Sequence, residues 1–111
     1  MNAAGAAAER RVRRYYLLRG YRLLAANARA GGNELDLVLR RGRRLLFCEV
    51  KMRSGDGFGD ALDGVGPEKA RRVRRAAEAF LAGRPELAAL DVTLEAVAVR
   101  PSGIERVPLE A

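Results

Sequence analysis

Apolar residues recur at helical spacing near the start of the chain. Ala8, Val12, Tyr15 and Tyr16 form one stripe, with arginines on the other side. This predicts a helix over Ala4–Arg19, stopped at Gly20. Tyr21–Ala28 is a short apolar segment that reads as strand-like, and Ala30-Gly31-Gly32-Asn33 reads as a turn. Glu34–Arg40 and Arg44–Lys51 read as strands, with Arg41-Gly42 between them, so they form a β-hairpin. Ser54–Gly66 is a glycine-rich loop. Pro67 opens a second helix, since proline favours the first helical turn. Its apolar face is Val73, Ala76, Ala77, Phe80 and Leu81, and Gly83 ends it. In Asp91–Val99, Val92, Leu94, Ala96 and Ala98 alternate with Thr93, Glu95, Val97 and Val99, which predicts a strand; Ile104–Leu109 adds an edge strand. The order is helix, three strands, helix, one or two strands. The class is α/β: a small mixed sheet flanked by helices.

Alternation then sorts the hairpin side chains. Glu34, Asp36 and Val38 share one face, and Leu35, Leu37 and Leu39 the other. On the next strand Phe47, Glu49 and Lys51 share a face, opposite Leu46, Cys48 and Val50. Closing the hairpin with Arg40 opposite Arg43 sets Asp36 against Phe47 and Glu34 against Glu49. Asp36 is then diagonal to Glu49, about 7–8 Å away at the backbone. A slip of one residue would separate the groups. Two carboxylates about 5 Å apart repel by roughly 3 kcal/mol at an effective dielectric near 20, so the cluster calls for a cation. A divalent ion held by Asp36 and Glu49 would supply it. An ordinary solvent-facing strand also carries one charged face. Phe47 beside Glu49 argues against that reading here.

Composition narrows the chemistry. The 111 residues are of one-domain size, residues 1–111. There is no histidine and a single cysteine, Cys48, within an apolar run. That excludes histidine triads, histidine-ligated zinc and a disulfide framework, and leaves an oxygen site of the kind magnesium or manganese prefers. The net charge is +7 and uneven: residues 1–53 hold 13 basic and 4 acidic residues, residues 54–111 hold 8 and 10. A basic half suggests a polyanion, nucleic acid first, although a solvated arginine-rich surface accounts for the charge equally well. Of 21 basic residues only Lys51 and Lys69 are lysine. Lysine is a compact ammonium on a thin stem, where arginine is a planar, permanently charged fork. No stretch approaches the ~20 apolar residues of a membrane span. Met1–Ala8 lacks the basic start and apolar core of a signal peptide, so a cytoplasmic location, away from membranes, is expected.

Asn27-x-Arg29, Glu34-Leu35-Asp36-Leu37, Phe47-x-Glu49-Val50-Lys51-x-Arg53 and Lys69 together resemble the YraN-like family of small bacterial proteins. That family is a branch of the PD-(D/E)xK nuclease superfamily, close to archaeal Holliday-junction resolvases. The resemblance runs from about Glu9 to Val99 and implies a restriction-endonuclease-like αβββαβ core. It implies that Asp36 and Glu49 bind metal and that Lys51 positions or activates the attacking water. It makes Glu9 an additional acid, Glu34 an auxiliary ligand and Lys69 a phosphate contact. Asn33 and Ala8 stand where the family usually has glycine, which removes none of these groups.

Were the site so built, Mg2+ or Mn2+ on Asp36, Glu49 and the Val50 carbonyl would polarise the scissile phosphate. Arg10, Arg11, Arg13 and Arg14, the hairpin-tip Arg40, Arg41, Arg43 and Arg44, and Arg29, Arg53 and Lys69 would hold the backbone of the nucleic acid. Such contacts are sequence-independent and salt-sensitive. Two functions follow: a metal-dependent endonuclease with DNA favoured, branched DNA included, or a non-catalytic nucleic-acid-binding module on the same fold. A protein-interaction domain explains the basic half but not the carboxylate–lysine cluster. Junction-cutting relatives act as dimers, so the resemblance would also imply a homodimer.

Overall fold

A computed structural model describes residues 3–52 and 66–109. The elements are α1 (Ala3–Leu17), β1 (Arg22–Ala30), β2 (Asn33–Arg41), β3 (Arg44–Met52), α2 (Pro67–Ala82), β4 (Asp91–Arg100) and β5 (Gly103–Pro108). One 3-10 turn, Pro85–Leu87, precedes β4. This is the αβββαβ order with one further edge strand. The five strands form a single mixed sheet in sequence order. β3 and β4 are parallel, joined across one face through α2, and all other neighbours are antiparallel. Among the described residues no helix is long and apolar enough to cross a membrane.

The sheet divides the core into two layers. On one face Ala8, Val12 and Tyr16 of α1 pack against Leu37, Leu39, Leu46, Cys48, Val97 and Val99. On the other, Ala70, Val73, Ala76, Ala77 and Phe80 of α2 pack against Val38, Leu45, Phe47, Leu94, Ala96 and Ala98. The Phe80 ring meets Phe47 edge-on at 5.7 Å. β3 and β4, covered on both faces, therefore carry unbroken buried runs, Leu45–Glu49 and Leu94–Val99, as parallel strands under helices do.

Turn chemistry fixes the register. Gly31 and Gly32 both have positive φ, +58° and +79°, and join Ala30 to Asn33 in a two-residue hairpin loop of the I′ kind. A side chain at Gly31 would also lie 3.2 Å from the Arg75 carbonyl oxygen, so glycine lets this hairpin sit against α2. The second hairpin closes with Arg41 opposite Arg44, not Arg40 opposite Arg43. Its loop is Gly42-Arg43, with Gly42 at φ +58° in the first central position, where a II′ turn demands glycine. Phe47 consequently faces Val38 rather than Asp36. The correction is two residues, so the faces of β3 stand as expected, and Asp36 comes level with Glu49 itself.

Face assignments on β2 change on the N-terminal side of Leu37. Leu35 packs with Val38 and Phe47 on the α2 side, apart from Leu37 and Leu39 on the α1 side. Simple alternation fails there because β1 and β2 change phase together around residues 27 and 36.

Candidate functional site

The β2–β3 ladder ends at Leu37 opposite Cys48, and beyond it the strands part. Asp36 lies in that opening, half-buried. Its Oδ2 accepts a hydrogen bond from the Val50 backbone N–H at 2.8 Å. A strand amide projects in the plane of its sheet, so the Asp36 carboxylate sits between two strands and not on either face. Glu49, 8 % exposed, is on the α2 face. Its Oε1 takes an ion pair from Lys69 Nζ of α2 at 2.9 Å and a longer one from Lys51 Nζ at 4.0 Å. Glu9 of α1 is buried and lines a groove together with Asn27 and Leu37. Glu34, on the exposed flank, faces Arg29 across β1 at 4.0 Å, where the sequence predicts it opposite Glu49.

The charges interact. Burial, and then the Glu49 charge, push the Asp36 carboxyl up to about 7; Glu9 and Glu34 add to the rise, and the Val50 N–H works against it. Burial also raises Glu9, with Glu34 and Glu49 adding to it and Asn27 opposing. These four carboxylates are every acid in residues 1–53, the basic half of the chain. The two ammonium groups beside Glu49 are both of the chain's lysines. The cation demanded by the carboxylate cluster is thus supplied at Glu49 by lysine. Among the described residues no basic side chain pairs with Asp36.

The donor set suits a hard divalent cation. Asp36 and Glu49 offer two carboxylates, and the Val50 carbonyl is a further oxygen on the same strand. Among the described residues no three acids, cysteines or histidines converge as ligands. Two carboxylates completed by water and substrate phosphate are the usual habit of magnesium. Glu9 and Glu34 are near enough to shift the charge on Asp36 without joining its ligand set.

A family model described as "Uncharacterised protein family UPF0102" matches residues 8–99, a span that takes in α1 from Ala8 through most of β4. The chain belongs to UPF0102. This is the YraN-like family that the motifs resemble. The chain is 39 % identical over 102 residues to a UPF0102 protein of Azorhizobium caulinodans, covering 92 % of this chain and 76 % of that one. It is 46 % identical over 87 residues to a UPF0102 protein of a Synechococcus strain, covering 78 % and 66 %. It is 36 % identical over 107 residues to one of Bradyrhizobium diazoefficiens, covering 96 % and 79 %. The UPF0102 match encloses Glu9, Asn27, Glu34, Asp36, Glu49, Lys51 and Lys69.

The arginines of this UPF0102 chain divide by task. Arg10, Arg13 and Arg14 are exposed on α1. Arg10 and Arg13 border a groove of about 260 Å3 whose other walls include Glu9, Asn27 and Leu37. Arg11, expected among the nucleic-acid contacts, donates to the Arg100 carbonyl at 2.7 Å and ties α1 to the end of β4. Of the hairpin-tip arginines, Arg40, Arg41 and Arg43 donate to backbone carbonyls. Arg41 holds the Arg19 carbonyl at 3.0 Å and Arg43 the Ala89 carbonyl at 2.7 Å. They lie five residues along the strand from Asp36, roughly 17 Å. Arg29 is at the Asp36 end of the sheet; Arg53 and the Ser54–Val65 part of the loop fall outside the described residues. Tyr16 is fully buried and belongs to the core under α1. Sequence reasoning missed one polar cluster: Glu95, buried in β4, accepts from Tyr16 Oη at 2.9 Å and pairs with Arg106 at 3.0 Å. A glutamate inside the apolar run Leu94–Val99 was the available signal.

Proposed function

We propose that this UPF0102 protein binds nucleic acid, DNA in preference, and hydrolyses its phosphodiester bonds with Mg2+ or Mn2+. The supporting observation is the placement of Asp36 in the opening between β2 and β3, next to a buried Glu49 that carries both lysines of the chain. A structural ion pair needs one acid and one base. An acid-rich, half-open cluster within an arginine-rich surface is an arrangement for holding a cation against a polyanion.

Each residue then has a task. Asp36 and Glu49, with the Val50 carbonyl, would hold the metal, which would supply Lewis acidity at the phosphate. The Val50 N–H fixes one oxygen of Asp36, so the carboxylate keeps its orientation as its charge changes. Lys51, in its long contact with Glu49, orients the attacking water or stabilises the charge that develops on phosphate. Lys69 offsets the charge on buried Glu49 and presents an ammonium to the phosphate backbone. Arg10, Arg13 and Arg14 provide salt-sensitive, sequence-independent contacts along α1.

The test is a manganese titration by calorimetry on wild type and Asp36→Asn, followed by incubation of both with linear, flapped and four-way-branched DNA. Saturable binding and cleavage in wild type, both lost in the variant, support the reading. DNA binding that weakens with salt, with no metal binding and no cleavage in either protein, replaces it by the non-catalytic module.

A further inference from the structure

Asn27 is the one non-glycine residue among the described residues with a positive φ, +53°. Left-handed backbone is unfavourable for side chains other than glycine, asparagine and aspartate, and persists where the surroundings impose it. It is in the middle of a strand, not in a turn. Its position in the pairing is informative. Ala26 faces Leu37 and Ala28 faces Leu35, so Asn27 stands opposite Asp36.

The packing records what happens there. In a regular strand Ala25 and Ala28 would lie on opposite faces, yet both pack on the α2 side. Across from them Val38 and Leu35 do the same. Leu37, between them, is on the α1 side, and so is Ala26 in the groove beside Glu9. Both strands therefore slip by one step in phase at the Asn27–Asp36 level. Without the slip Asp36 would stand upright on the α2 face, where its neighbours on β2 are core residues. With it, the carboxylate lies in the plane of the sheet, at the Val50 amide. The side chain of Asn27 meanwhile lines the same groove as Glu9 of α1.

We infer that Asn27 is a positioning residue: its left-handed backbone turns Asp36 into the opening between β2 and β3. The functional importance of this rests on the reading of Asp36 as a site residue; the positional claim is independent of it. Glycine at 27 would keep the backbone and lose the amide. A β-branched residue would oppose the backbone.

The experiment compares wild type, Asn27→Gly, Asn27→Thr and Asp36→Ala, without metal, by amide hydrogen exchange. Val50 N–H is the reporter, and the amides of the β3–β4 ladder are the control. The expected result is that Asn27→Gly keeps Val50 protection, while Asn27→Thr speeds its exchange by about tenfold, to the level of Asp36→Ala, with the ladder unchanged. Val50 protection retained in Asn27→Thr, or lost equally in Asn27→Gly, overturns the inference. So does a global loss of protection in Asn27→Thr, which would make the conformation a requirement of the whole sheet. A manganese titration of the same proteins then separates the two claims. If wild type takes no manganese while the Val50 pattern holds, the functional reading fails and the positional one stands. If wild type binds, Asn27→Thr is expected to lose affinity by about tenfold, and wild-type affinity in that variant counts against the inference.

Discussion

Glu49 and Glu95 lie on neighbouring central strands, each 8 % exposed, on opposite faces of one sheet. Around Glu95 the account is closed. Tyr16 and Arg106 meet the same carboxylate oxygen, and Arg106 also donates to Tyr15 Oη at 3.2 Å. The guanidinium lies 5.4 Å from the Tyr16 ring centre. Burial, together with the charges of Cys48 and Glu95, pushes the Tyr16 phenol far above its usual range, so it remains a donor. Among the described residues there is one acid here, one base and no carboxylate in excess. Around Glu49 there are three more carboxylates, both lysines attend to Glu49, and Asp36 relies on a single backbone amide. Burial of an acid is common to both regions and so does not mark function. Charge left out of balance does, because a fold keeps such an arrangement only at a cost to its own stability.

The comparison is broken most directly at Glu95. Glu95→Ala strands Arg106 and the Tyr16 hydroxyl and is expected to cost about 3 kcal/mol in urea unfolding, with manganese binding unchanged. An equal loss of metal binding would make the two regions one. Lys69→Met keeps the apolar stem and removes the short ion pair. It is expected to cost about 2 kcal/mol, part of which millimolar manganese restores; a melting-temperature series with and without metal reads this. Asp36→Asn has the opposite sign. The folded state holds the Asp36 proton up to about pH 7, well above the unfolded value near 3.8, so wild type loses stability as pH rises between those values. The variant lacks that loss. It should match wild type near pH 4 and exceed it at pH 8, read as a higher melting temperature. A flat difference across that range would show that Asp36 is not held in its neutral form. The smallest effect is at the surface: Arg14→Ala is expected to lower DNA affinity about twofold at 0.1 M salt and reduce the salt slope by about 1, without altering stability. Arg11→Ala should do the reverse, since Arg11 already holds the Arg100 carbonyl.

Element order, the two helix faces and the identity of the acids were legible because each is written in local periodicity or in scarcity. Lys51, one of only two lysines among so many arginines, stands two residues from Glu49 in the sequence; the pairing of Lys69 with Glu49 is visible only in the fold. Register was less legible, since it hangs on whether Arg41-Gly42 or Gly42-Arg43 forms the loop, a matter of one φ angle. The phase slip at Asn27 was not legible: an asparagine among alanines gives no sign of left-handed backbone until its neighbours' packing is known. Nor did charge alone tell Arg11 and the hairpin-tip arginines, which hold carbonyls, from Arg10 and Arg14, which face solvent. That difference is made by distant backbone, Arg100 and Ala89 among it.

β1 is an edge of the sheet, nine residues long, with Arg22 and Arg29 near its ends and no charge between them. A smooth strand of that composition would invite another chain to add to it and start an aggregate. The pairing irregularity between Leu23 and Ala25 and the reversed backbone at Asn27 spoil the template twice within five residues. The irregularity inferred to aim Asp36 thus also makes β1 a poorer template for a second chain. A variant that straightens β1 with an apolar β-branched residue at 27 would be expected to fail first by self-association in concentrated solution, before any loss of fold.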